Sequence, residues 1–347
     1  MKLLVCAMEA SSNIHLKELK KHLNDNVELK GVFDNSLGNP LYDLTSLAIM
    51  GFTDAIKKLR FFFRLRDELV ELASECDKVL LMDSSGFNLP LAKKLKERYP
   101  NKEIIYYILP QAWAWKKKRV FKLQKFCTKL CSIIPFESQM YTEKEKITYV
   151  GHPLLDEIHE FKEELTNTNK IIYMPGSRKT EIVNHMNVYR QLASKIKDKE
   201  HILIIPKKFD EEFIKKYYGD ISLFTVSNDS HKELRQAEFG FICSGTATLE
   251  AALIGTPFVM SYVAKKVDYF LGRLFVKLPY IGLANIFLYK SGKDAIHKEF
   301  FQDEVTFQNL YNEYKNINKN DFLETSKVLR EYLKHGSSKN VADIIQS

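Results

Sequence analysis

No stretch of the 347-residue sequence approaches the run of about 18 uncharged apolar residues that a membrane-spanning helix requires. The opening MKLLVCAMEA carries only a short apolar run broken by Glu9, so a secretory signal is not expected and the chain is expected in the cytoplasm. Cysteine is sparse: Cys6, Cys76, Cys127, Cys131 and Cys243 are scattered and odd in number, and the pair at 127 and 131 has no matching second pair. They read as reduced core thiols. No HExxH or comparable His/Cys cluster occurs, so no catalytic metal is expected, and His15, His152 and His297 stand alone. Neither GxxxxGK[ST] nor GxGxxG is present, which weighs against ATP hydrolysis and dinucleotide redox chemistry. No short repeat or low-complexity tract interrupts the chain.

What is there fits a globular protein of more than one core. Hydrophobic residues make up 45% of a chain longer than one core usually supports, so two domains are expected. The formal net charge of +8 favours acidic partners, whether phosphorylated substrates, anionic lipid or nucleic acid.

Short apolar runs alternate with helical patterns. Strands are expected at residues 2–7, 28–33, 79–82, 104–109 and 130–134, and again at 171–174, 201–205, 223–226, 239–243 and 258–262. The first helix is expected from Asn13 to about residue 24. A polar segment at 157–170, containing TNTNK, reads as a domain edge, and the tail from Asn320 reads as helical. The fold class is α/β: two Rossmann-like domains with parallel sheets facing a cleft, at 1–155 and 156–347, the C-terminal helices packing back on the first domain.

The ends of these strands carry the chemistry. In CSGTATLEAALIGTP (243–257), an apolar strand turns at Ser244, Gly245 and Thr246 into a helix, whose unpaired N–H groups and partial positive charge suit a diphosphate; Thr248 belongs to the same seat. Glu250 could bond both hydroxyls of a ribose, or simply suit the start of the helix. Met174-Pro175-Gly176-Ser177-Arg178 repeats the strand-turn-helix pattern, and Arg178 offers a planar, permanently charged fork for phosphate. Two such turns in one half point to one shared anionic ligand. In the first half, Glu9 to Asn13 and Asp83 to Asn88 occupy strand ends, and Asp83 could accept a hydroxyl proton or act as a turn residue. Both tryptophans fall in Trp113-Ala114-Trp115, followed by the basic run 116–119.

In order, these motifs resemble the lipid A disaccharide synthases, inverting glycosyltransferases of the GT-B fold. The resemblance rests on Met8-Glu9-Ala10-Ser11, Ala48-Ile49-Met50-Gly51, Asp83 with Phe87-Asn88, Trp113-Ala114-Trp115 with Lys118-Arg119-Val120, and Pro135-Phe136-Glu137. It continues through Gly151-His152-Pro153, Pro175-Gly176-Ser177-Arg178 with Glu181, the Ser244–Glu250 motif, and Leu283 with Asn285. It implies condensation of UDP-2,3-diacylglucosamine with 2,3-diacylglucosamine 1-phosphate, giving a lipid A disaccharide 1-phosphate and UDP. Departures cluster in the first half. Met8, Ser12 and Asn13 replace Gly, Gly and Asp of the usual GEASGD, Gln111 stands where Ser is common, and DAPDFN has become Asp83-Ser84-Ser85-Gly86-Phe87-Asn88, without its second carboxylate.

Residues and resemblance together assign Asp83 as the base, with Glu9 in reserve. Arg178, Gly176, Ser177 and the 244–248 turn would hold the leaving diphosphate, Glu250 the ribose, and Asn285 would position the nucleotide. Neither cofactor nor metal is required on this reading. Acylated substrates imply docking on the cytoplasmic face of the inner membrane as a peripheral protein, and a homodimer is compatible with the resemblance. The segment 47–72 supplies the means: a stripe of Phe52, Ile56, Leu59 and Phe63 is expected to be buried, leaving Phe62, Leu65 and Leu69 on a second apolar face beside basic residues. Rival readings are another GT-B UDP-sugar enzyme, such as an epimerase or an N-acetylglucosaminyl transferase, and a non-catalytic lipid- or nucleotide-binding protein. Nucleic acid is disfavoured because no recognition motif or aromatic platform accompanies the basic residues.

Overall fold

The computed structural model describes residues 1–43, 55–113, 117–165, 168–263 and 278–347. The Ala48–Gly51 motif, Phe52, Ala114, Trp115 and Lys116 lie outside them, as does the side chain of Ile56. Two compact units result: Met1–Glu157 with Leu333–Ser347, and Ile158–Tyr332.

The first unit is built on a seven-stranded sheet, β1 (Lys2–Ala7), β2 (Glu28–Phe33), β3 (Tyr42–Asp43), β4 (Lys78–Met82), β5 (Glu103–Tyr107), β6 (Lys129–Ser132) and β7 (Ile147–Tyr149). Its order is β3-β2-β1-β4-β5-β6-β7 and every pairing is parallel. The second unit holds β8 (Lys170–Met174), β9 (Glu200–Ile204), β10 (Thr225–Ser227), β11 (Phe239–Cys243), β12 (Phe258–Tyr262) and β13 (Glu299–Phe301). These run β10-β9-β8-β11-β12-β13, again all parallel. Parallel strands joined by helical crossovers are covered on both faces, which is why β1 and β11 read as unbroken apolar runs, with Leu3 to Ala7 and Phe239 to Cys243 all buried.

Every strand expected from the sequence forms, although the one expected at 223–226 begins at Thr225. Phe224 leaves the strand and packs edge-on against Tyr173. The short strands β3, β7 and β13 were not expected. The first helix spans Ala10–Lys20 and so starts three residues before Asn13. Asn13 instead ties the turn together: its amide donates to the carbonyls of Ala7 (2.8 Å) and Glu9 (2.9 Å), and its Oδ1 accepts from the Asp34 N–H (2.7 Å).

The Ala55–Leu72 helix reverses the expected assignment of its faces. Phe61, Leu65 and Leu69 are buried against Leu4, Val32, Val79 and Leu81, whereas Leu59 and Phe63 are about half exposed. The 61-65-69 stripe runs on into Val70 and Ala73, while the 59-63 stripe meets Arg66 and Asp67 a turn later. Burial selects the longer apolar row, each Leu contributing roughly 1.5–3 kcal/mol.

The end of the chain completes the first unit. Val341 and Ile345 of the Ser337–Gln346 helix join Leu16, Leu19, Leu3 and Val5 in one core cluster. Asp156 accepts from the N–H groups of Gly336 and Ser338, both at 2.7 Å, and Tyr107 bonds Ser337 Oγ at 2.8 Å. Gly151 has φ +94°, and a Cβ there would stand 2.8 Å from the Lys334 carbonyl, so the Gly151-His152-Pro153 turn admits no larger residue. All five cysteines are buried and unpaired.

Candidate active site

In each sheet the strand order reverses once, between β1 and β4 in the first unit and between β8 and β11 in the second. Neighbouring connections diverge to opposite faces at such a point and leave a crevice beyond the carboxyl ends of the strands. The candidate residues sit in these two crevices.

In the first unit Ala7 is paired in register with Met82, so the loops carrying Glu9 and Asp83 emerge side by side. Both line a cavity of ≈ 810 Å³ whose apolar wall includes Leu59, Phe62, Phe63 and Phe87. Asp83 and Ser84 are held at φ +48° and +37°, a left-handed conformation unusual outside glycine that costs about 1–3 kcal/mol per residue. Compensating bonds surround them. The fully buried Asn88 amide donates to the carbonyls of Met82 (3.0 Å) and Asp83 (3.1 Å), and the Tyr106 hydroxyl donates to the Asp83 carbonyl as well. The Asp83 carboxyl is pushed above the ordinary aspartate range by burial first and by the charge of Glu9 second. Glu9 is exposed and accepts from Ser84 Oγ at 3.1 Å. A partly desolvated carboxylate of raised basicity beside an apolar wall can deprotonate the hydroxyl of an amphiphilic substrate.

In the second unit Met174 pairs with Ile242, which brings the Gly176-Ser177-Arg178 turn against Ser244-Gly245-Thr246. The two turns line a cavity of ≈ 450 Å³ together with Glu181 and Ala247. Gly176 lies at φ +98°, where a Cβ would stand 2.7 Å from Glu181 Oε2 and 3.1 Å from Cys243 Sγ. At Gly245 a Cβ would meet nothing within 4 Å, so the backbone there faces open space. Glu181 is the residue whose role the sequence did not disclose. Buried itself, it accepts from the Arg178 guanidinium at 2.7 Å and from the Arg178 N–H at 3.2 Å, aiming a side chain that is otherwise 74% exposed.

The anion seat is narrower than the 244–248 motif suggested. The Ser244 N–H donates to the Ser261 carbonyl and the Thr248 N–H to the Gly245 carbonyl, which, among the described residues, leaves the amides of Gly245, Thr246 and Ala247 as the donors at this helix start. Thr248 is fully buried with its hydroxyl on the Gly245 carbonyl, so it closes the first turn of the helix and does not line the cavity. Asn285 is also a correction. It is fully buried, donates to the His297 carbonyl and Glu299 Oε1, and accepts from the Ile296 and His297 N–H groups. Its bonding capacity is spent on fixing the 296–299 segment, not on a ligand. Glu250 stands outside the cavity lining and faces His231 Nε2 at 3.3 Å. His152 and His297 are buried and neutral, desolvation pushing them down to about 3 and about 4, and His15 pairs with Glu157. Among the described residues no group of three or more His, Cys, Asp or Glu side chains is placed to hold a metal, and no helix is long and apolar enough to cross a membrane.

Two Rossmann-like parallel units, each with a cavity at the switch point of its sheet, are the arrangement of the GT-B fold. The UDP-GlcNAc 2-epimerase of Neisseria meningitidis, solved with UDP-GlcNAc bound, superimposes over 100% of both chains at TM-score 0.65 with 11% identity. A glycosyltransferase of kitacinnamycin superimposes over 99% of this chain and 97% of its own at TM-score 0.60 with 13% identity. The sequence comparison is finer. The model of the lipid-A-disaccharide synthetase family matches residues 3–344, and the chain belongs to that family. Lipid-A-disaccharide synthases of Helicobacter pylori strain G27 and Campylobacter jejuni strain RM1221 are 46% and 45% identical. The first match covers 98% of this chain and 97% of its relative, the second 99% and 98%. The protein is therefore a glycosyltransferase of lipid A biosynthesis.

Proposed function

We propose that the enzyme condenses UDP-2,3-diacylglucosamine with 2,3-diacylglucosamine 1-phosphate, releasing UDP and a lipid A disaccharide 1-phosphate. The observation that carries this reading is the contrast between the two cavities: one pairs a carboxylate of raised basicity with an apolar wall, and the other pairs Arg178 with the backbone amides of a helix start. The acceptor's 6-hydroxyl attacks the anomeric carbon of the donor, a C–O bond forms with inversion, and the bond to the diphosphate breaks. Asp83 takes the hydroxyl proton, with Glu9 raising its basicity. Arg178, aimed by Glu181, and the amides of Gly245, Thr246 and Ala247 take up the negative charge that develops on UDP. Glu250, outside the cavity lining and beside His231, is the carboxylate for the hydroxyls of a ribose that extends past the diphosphate seat. Because protein groups supply this positive charge, turnover is metal-independent.

The half-exposed Leu59 and Phe63, with exposed Arg60 and Arg64 on the same helix, support docking at the cytoplasmic face of an anionic inner membrane. The test is direct. Purified enzyme with the two acylated monosaccharides in EDTA should yield equal amounts of disaccharide phosphate and UDP. Absence of product overturns the assigned reaction, and activity that returns only with Mg²⁺ or Mn²⁺ overturns the metal-free mechanism.

A further inference from the structure

We propose that Arg66 and Arg119 form a phosphate subsite within the cavity of the first unit, recognising the phosphate monoester of the acceptor. This rests on the reading above and names the residues that select that substrate. The two arginines come from separate elements, Arg66 from the Ala55–Leu72 helix and Arg119 from the first turn of the Lys118–Phe126 helix, yet both line the cavity that holds Asp83 and Glu9.

Arg66 is the more telling. Its guanidinium lies 4.8 Å from the centre of the Phe63 ring, which seats it against the apolar wall. Its Nε is buried without a hydrogen-bond partner, and among the described residues it has no carboxylate partner, whereas Arg64 on the same helix pairs with Glu68 at 3.5 Å. A guanidinium that lines the cavity, with one N–H unsatisfied and no carboxylate partner among the described residues, is a site for an anion.

The ligand chemistry follows from the lining. Phe62 and Phe63 favour acyl chains, and Asp83 favours a hydroxyl donor, but two carboxylates repel a phosphate dianion unless cations of the same cavity meet it. A planar guanidinium matches the oxygens of a phosphate monoester two at a time, and a second arginine on another helix completes the clamp. One amphiphile bearing acyl chains, a free hydroxyl and a phosphate satisfies every part of this lining.

The same chemistry could come from an anionic lipid headgroup, so the experiment separates the two sources. Disaccharide formation is measured in neutral-detergent micelles, with acceptor carrying or lacking its phosphate, and repeated on vesicles with and without phosphatidylglycerol. In micelles the wild type should prefer the phosphorylated acceptor by roughly tenfold or more in kcat/KM, and Arg66→Gln and Arg119→Gln should each bring that ratio toward one, mainly through the acceptor KM. Donor KM should stay within about twofold, and Arg66→Lys should recover part of the preference. An unchanged ratio in both variants overturns the proposal, as does a defect seen only on vesicles containing phosphatidylglycerol. If Arg66→Gln does not fold, Arg119→Gln and Arg66→Lys decide the matter. Absence of product from the wild type with either acceptor overturns the assigned reaction instead.

Discussion

The side-chain amide of Asn88 donates to the backbone carbonyl of Asp83 at 3.1 Å, so the proposed base is held in its left-handed conformation by a residue five positions further along the chain. The same amide reaches the Met82 carbonyl, and it is fully buried. Asn88→Asp keeps the shape but removes the donors. We expect about 1–3 kcal/mol of lost stability and a fall in kcat larger than any change in donor KM, read by thermal unfolding and steady-state rates. Normal kcat in a folded variant would show that the strained turn does not depend on this clamp.

Asp83→Asn should leave UDP binding intact and lower turnover by roughly a hundredfold or more. Glu9→Gln should be milder, with a sign that can be checked. Glu9 raises the Asp83 carboxyl, so its neutralisation should move the acid limb of the pH–rate profile to lower pH. A limb that stays in place or moves upward contradicts this coupling. Full activity in Asp83→Asn together with inactivity in Glu9→Gln would transfer the proton to the first loop.

Arg178→Ala should weaken UDP binding by about 1.5–3 kcal/mol and largely abolish transfer, because it removes a charge-assisted contact to the leaving group. Glu181→Gln should lie between this variant and the wild type, since the guanidinium remains while its anchor is weakened. Isothermal titration with UDP orders the three proteins. Equal affinities for all of them would remove Arg178 from the site.

Glu137 offers a test of stability independent of catalysis. Burial pushes its carboxyl up to about 8, although Ser132 Oγ stands 2.5 Å from Oε2, and Oε1 has no partner. The folded value lies above that of the unfolded chain, so the folded protein holds the extra proton between pH 4.5 and about 8. Stability is fully present below that window and falls as pH rises through it, by up to about 1.4 kcal/mol per pH unit. Glu137→Gln should flatten this slope and unfold at higher temperature than wild type near pH 8. An unchanged slope contradicts a buried neutral carboxyl.

The strand-end motifs were legible because the strand order of each parallel sheet reverses at one place, and the loops at that place are those where Glu9 and Asp83, or Gly176 and Ser244, stand after an apolar run. Side-chain direction within the following helices was less legible. Thr246 faces the cavity while Thr248, two residues on, turns into the core, and a motif read as a string does not separate them. Asn285 looked like a ligand group because a buried amide that satisfies backbone groups has the same sequence signature as one that meets a nucleotide. The Ala55–Leu72 helix offered two apolar rows of helical spacing. The distinguishing sign was the persistence of one row through Leu69 and Ala73. Asn13, a departure from the usual Asp, has its explanation in the fold. It donates to two carbonyls and accepts from one amide, and a carboxylate could make only the last of these bonds.

The return of Leu333–Ser347 to the first unit has a consequence during synthesis. The ribosome delivers residues 1–157 early, but Leu16 and Leu19 lack the covering provided by Val341 and Ile345 until the Ser337–Gln346 helix has emerged. Ile158–Tyr332 is made without interruption and can close its sheet first. The half translated first is therefore the half finished last, and a nascent chain stalled before Val341 should present the face of the Ala10–Lys20 helix to chaperones or to other chains.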